Sequence, residues 1–119
     1  MKNMVLIVTG LLALGNWQAR PENKVDFVKE IQPILQKSCV ECHGPEKQKG
    51  KLRLDSLEAA LKGGEDGKVI EPGDSAKSLL VHAVARLDED SAMPPADKGE
   101  PLKKDQIGLI RAWIDQGAK

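Results

Sequence analysis

Cys39-Val40-Glu41-Cys42-His43 constrains this chain more than any other stretch of it. These are the only cysteines, so no disulfide framework spreads along the sequence, and whatever the thiols do they do within one turn of backbone. Three chemistries use paired cysteines at this spacing. A redox dithiol of the thioredoxin kind needs a strand before the motif and a helix after it. Here a helical pattern precedes it, and Gly44-Pro45 stops any helix behind it. A structural zinc site needs four ligands, and beyond His43 the only other histidine is His82. The third chemistry fits without remainder: two thiols about a helical turn apart each add to a vinyl group of one porphyrin, and the adjoining histidine reaches the iron. The motif therefore implies one covalently bound haem c, with Cys39, Cys42 and His43 as its holders.

The N-terminus reads as a separate object. Lys2 is the only charge before an apolar run from Met4 to Leu14, too short for an ordinary membrane span and suited to a secretory signal. Cleavage is expected after Ala19, although Trp17 is bulky for the −3 position; Gly15, with Ala13 at −3, is the alternative. The expected division is a signal peptide at 1–19 and one domain at 20–119, in a periplasmic or otherwise exported protein. Membrane contact is expected only if the leader stays uncleaved. Charge is balanced, 18 basic against 18 acidic residues, which argues against a nucleic-acid partner.

The remaining pattern is helical throughout. Phe27, Ile31, Ile34 and Leu35 recur at helical spacing behind a capping Asp26, with Pro33 set to kink the helix or open its second part. Leu52, Leu54, Leu57, Ala60 and Leu61 predict a short helix capped by Asp55 or Ser56 and ended by Gly63-Gly64. A third helix is expected from Asp74 or Ser75, with Leu79, Leu80, Val81, Val84 and Leu87 as its apolar face and Asp88, Glu89 and Asp90 closing it. Lys104 to Gln116 is amphipathic, lined by Ile107, Ile110, Trp113 and Ile114; Leu102 acts as a staple and Gly117 as a stop. Gly108 is expected to let this helix cross a neighbour closely. The class is all-α, with three to four short helices around the haem.

At these residues the chain resembles the planctomycete-type cytochrome c domains of the class I cytochrome c-like group. The matching stretches are Phe27…Ile31-Gln32-Pro33-Ile34-Leu35, Cys39 to Pro45, Lys49 to Asp55, Gly63-Gly64, Pro72-Gly73-Asp74, Ser78-Leu79-Leu80, Met93-Pro94-Pro95 and Trp113 to Ala118. The resemblance implies a class I cytochrome c-like fold whose first and last helices pack across each other beside the haem. Two positions depart from the pattern: Lys51, where glycine is expected, and Lys103, where a capping threonine or serine is expected.

Met93 is the expected second axial ligand. Its thioether is soft and favours reduced iron, and the loop from Ser91 to Lys98, stiffened by Pro94 and Pro95, is placed to cross the open haem face. His82 is the rival ligand. Arg53 is a candidate partner for a haem propionate, the alternative being a solvated surface arginine. Trp113 is a candidate for packing at the haem edge or for an indole bond to a propionate, the alternative being helix packing alone. Lys47, Lys49, Lys51 and Arg53 read first as a solvated loop, with steering of an acidic redox partner as the alternative. The functional expectation is an exported one-electron carrier, not an enzyme, that works with redox partner proteins. A haem enzyme or gas sensor with an open distal site is the alternative; it lacks a distal acid/base pair, since only His82 is available.

Overall fold

A computed structural model describes residues 24–119, so the expected leader at 1–19 lies outside the described residues. Asp26 opens the fold as an N-cap: its Oδ1 accepts from the Lys29 N–H at 2.9 Å, and Glu30 Oε2 accepts from the Asp26 N–H at 2.8 Å. The first turn, Phe27–Ile31, is wound as a π-helix, and α1 (Gln32–Ser38) follows it. Pro33 falls at the start of α1, where a missing N–H leaves no interior bond unmade. The proline therefore opens the second part of the helix, one of the two roles its position allowed.

Helix α2 (Leu57–Lys62) starts on Ser56, whose hydroxyl accepts from the Ala59 N–H at 3.1 Å. It ends on Gly63 in a positive-φ conformation, φ 83°. Next, a single 3₁₀ turn, Ser75–Lys77, is capped by Asp74, and α3 (Leu79–Val84) begins only after it. This shortens the helix expected to run from Asp74 to the acids at 88–90. The physical cause is Ser78. Its buried hydroxyl donates to the Asp74 carbonyl and accepts from the Glu71 N–H, each at 2.9 Å, which folds the chain back before α3 starts. At the other end Arg86 turns left-handed, φ 55°, and the acids cap a separate 3₁₀ turn, Glu89–Ser91.

The last helix, α4 (Lys104–Asp115), buries Ile110, Trp113 and Ile114, with Leu102 packed below its start. It crosses the first helical segment, where the Phe27 and Trp113 rings meet at 5.3 Å and 38°. Ile31, Leu35, Val81 and Val84 complete this core. The ends of the domain are tied by polar bonds. Gln116 Oε1 accepts from the Val25 N–H at 2.8 Å, and Asp115 takes the Ser75 N–H and hydroxyl at 2.8 and 2.9 Å. No strand forms among the described residues; only isolated bridges pair His43 with Gln48 and Gly64 with Gly67. The molecule is all-α, as the periodicity implied.

Two expectations are corrected in detail. Gly108 sits on the exposed face of α4, and a Cβ there would meet nothing within 4 Å, so it permits no close crossing. Leu79 and Leu87, assigned to the buried face of α3, are 52% and 66% exposed. The two departures from the family pattern fall where they carry a conformational cost. Lys51 has φ 55°, a left-handed backbone that glycine adopts without a Cβ penalty. Lys103 is the N-cap of α4: Gln106 accepts its N–H at 2.9 Å, but an ammonium has no lone pair to return to the first turn.

Helix α4 therefore has two correctable defects. Gly108→Ala should raise stability by ~0.5–1 kcal/mol, and Lys103→Thr, which completes the capping box, by ~0.5–2 kcal/mol. Urea denaturation of the single and double variants measures both. Loss of stability in Gly108→Ala would show that the position is packed after all.

Candidate haem site

The chain after α1 builds the site. The Cys39 N–H still donates to the Leu35 carbonyl at 2.8 Å, so the first thiol is set by the helix. Cys42 and His43 then donate to the Cys39 carbonyl at 3.2 and 2.9 Å, which makes one further turn. That turn places the two sulfurs and the imidazole along a single rim. Gly44 has to be glycine: a Cβ there would lie 2.3 Å from the Val40 carbonyl oxygen. Its N–H donates to the Lys47 carbonyl at 2.7 Å, folding the lysine-rich loop back over His43.

This loop orients the histidine. His43 Nδ1 lies 3.0 Å from the Lys49 carbonyl oxygen. A carbonyl only accepts, so Nδ1 carries the proton of this bond and Nε2 keeps its lone pair free for a metal. Lys49 is itself fixed, its N–H donating to the Cys42 carbonyl at 2.9 Å. Motif and loop thus hold each other.

Both cysteines are free thiols. Cys39 is buried, and burial, followed by the neighbouring Cys42, pushes its pKa up to about 11. Attacking cysteines of redox dithiols have lowered values, so Cys39 is set against that role. Among the described residues no group of three or more His, Cys, Asp or Glu side chains gathers to bind a metal ion, which leaves the zinc reading without ligands.

Cys39, Cys42 and His43 open onto a cavity of about 870 Å³, which Met93, Pro94 and Pro95 also line. The volume lies in the upper part of the range for cofactor sites, roughly 300–1,000 Å³. Leu52, Leu54, Leu79, Leu80, Val84 and Leu87 supply apolar walls. The exposure of Leu79 and Leu87 has its explanation here: both line the cavity and stand outside the buried core. A large flat apolar group with thiol-reactive edges and a metal centre fits this donor set and these walls.

The sequence-derived site residues separate into two groups. Cys39, Cys42, His43 and Met93 line one cavity, and His82 lines it too. The His82 Nε2, however, is engaged by the Ala76 carbonyl of the preceding turn. Arg53 and Trp113 do not line the cavity. Arg53 forms a bidentate pair with Asp55, at 2.9 and 2.7 Å, and that pairing raises the arginine pKa and lowers that of Asp55. The buried Trp113 ring packs on Phe27, and its indole N–H donates to the Lys119 carbonyl at 3.3 Å. Arg86 was not legible as a site residue, yet its Nη1 donates to the Pro94 carbonyl at 2.9 Å, beside Met93. No spacing or motif marks such a contact.

An all-helical domain with CxxCH opening onto an apolar cavity is compatible with a small fold of the cytochrome c kind. The sequence model of the family described as Planctomycete cytochrome C matches residues 39–97, and this segment belongs to that family. Hydrazine synthase subunit alpha of Kuenenia stuttgartiensis is 30% identical over 127 aligned positions, which cover 82% of this chain and 16% of that subunit. The chain therefore spans only a small part of the length of this curated relative. No solved structure matches the chain.

The position of Arg53 gives a direct test. Arg53→Ala should leave the visible spectrum and reduction potential of the haem-loaded protein unchanged, because its guanidinium is committed to Asp55. A shifted potential would place it in contact with the haem after all.

Proposed function

We propose that the chain is an exported monohaem c-type cytochrome that transfers single electrons, with haem c linked to Cys39 and Cys42 and its iron held by His43 and Met93. One observation carries the reading: two thiols, an imidazole with a free Nε2 and a thioether converge on one apolar cavity. The group supplies, when bound, an iron centre that gains and loses one electron. Cys39 and Cys42 fix its edge, and the Lys49 carbonyl keeps His43 in the ligating tautomer. Met93 would contribute a soft ligand that favours reduced iron, and the leucines lining the cavity would keep water from it. If His43 and Met93 both held the iron, no position would remain for a substrate, which would suit a carrier better than an enzyme. Export is the expectation that the apolar run from Met4 to Leu14 supports, as part of an expected leader at 1–19, and a redox protein is the expected partner.

A second reading, a haem module serving a catalytic partner, is favoured by the likeness to part of an enzyme subunit. It uses the same ligands and differs in what receives the electron.

Expression with haem-maturation machinery should give an intact mass one haem above the mature chain, surviving denaturation. Cys39→Ala, Cys42→Ala should abolish that increment. The loaded protein should be six-coordinate and low-spin in both oxidation states, with the weak long-wavelength band of a sulfur–iron bond. Met93→Ala should remove the band, admit carbon monoxide rapidly and lower the potential, while His82→Ala changes little. The reverse pattern would make His82 the ligand. A high-spin protein that binds carbon monoxide fast without mutation would sink the carrier reading.

A further inference from the structure

We propose that Arg86 is a positioning residue for Met93, clamping the methionine loop to the end of α3. The inference rests on Met93 as an iron ligand and adds what holds it there. Two bonds bracket the methionine. On its N-terminal side the Met93 N–H donates to the Ala83 carbonyl at 3.0 Å. On its C-terminal side the Pro94 carbonyl accepts from Arg86 Nη1 at 2.9 Å. The Arg86 N–H reaches the same Ala83 carbonyl at 3.2 Å, so one carbonyl of α3 joins the arginine and the loop.

Two further features set Arg86 apart from an ordinary helix-end cation. Its φ of 55° is one that a non-glycine residue adopts at a cost, and this backbone ends α3. Asp88, Glu89 and Asp90 follow closely in sequence, yet among the described residues Arg86 forms no ion pair with them. Its charge is directed to a neutral carbonyl of the loop instead. A charged donor strengthens such a bond, and Pro94 has no N–H with which to anchor itself. Without the guanidinium the loop keeps only its N-terminal tether, and the thioether leaves the iron more often.

Arg86→Asn is the discriminating variant in the haem-loaded protein. Asparagine tolerates the left-handed backbone but is too short to reach the Pro94 carbonyl. Carbon monoxide association with the reduced protein should rise about tenfold or more, the sulfur–iron band should weaken, and helical ellipticity should stay at the wild-type level. Arg86→Lys, which keeps reach and charge, should restore most of the band. A wild-type band and carbon monoxide rate in Arg86→Asn would overturn the proposal. So would ligand loss that tracks loss of ellipticity in both Arg86→Asn and Arg86→Gly, since that marks a structural role only. Failure of the underlying ligand assignment is distinguishable: the unmutated protein would then lack the sulfur–iron band, and Met93→Ala would be silent.

Discussion

The crossing of the first helical segment over α4, sealed by Phe27 against Trp113, is the contact on which everything else hangs. A small domain that keeps a large cavity open has little apolar surface left for closing itself. Among the described residues the aromatic packing is concentrated at one place, outside the cavity lining, and is reinforced by Gln116 on the Val25 N–H and Asp115 on Ser75. With the two ends fixed, the stretch between them forms the cavity walls. Short helices and single turns suffice there: the turn Ser75–Lys77 and α3 pack on each other and on α4.

Local chemistry then refines the site. The turn at Cys39–His43 is continuous with α1, so the thiols inherit the orientation of a helix rather than that of a loop. The lysine-rich loop, which reads from composition as solvated surface, does its structural work through the backbone: the Lys49 carbonyl selects the His43 tautomer. The methionine loop is held to α3 through the Ala83 carbonyl and Arg86. The histidine and the methionine loop thus both depend on main-chain carbonyls.

What the sequence revealed follows from this division. Side chains with their own chemistry were legible: the cysteine pair with His43, Met93 before two prolines, the Asp26 and Ser56 caps, and the apolar stripe of α4. Contacts set by tertiary folding were not. Ser78 looks like any helix-start serine, and only its two buried bonds split the expected third helix. Leu79 and Leu87 fit a helical stripe by spacing, yet they line the cavity, because a cavity wall imposes no 3.6-residue period. Arg53 and Trp113 were named as propionate partners by type, while their contacts, with Asp55 and with Phe27, lie outside the cavity lining. Gly108 was read as a packing glycine, although it faces solvent. The match to planctomycete cytochromes covers the motif and the methionine loop at residues 39–97, while α4, which closes the fold, lies beyond it.

The central claim is that His43 and Met93 hold one iron between them. X-ray absorption at the iron edge of the oxidised, haem-loaded protein tests it most directly. The account predicts five nitrogen scatterers, four of the porphyrin and one imidazole, and a single sulfur that disappears in Met93→Ala. A first shell of nitrogen and oxygen alone, unchanged by that substitution, would contradict it.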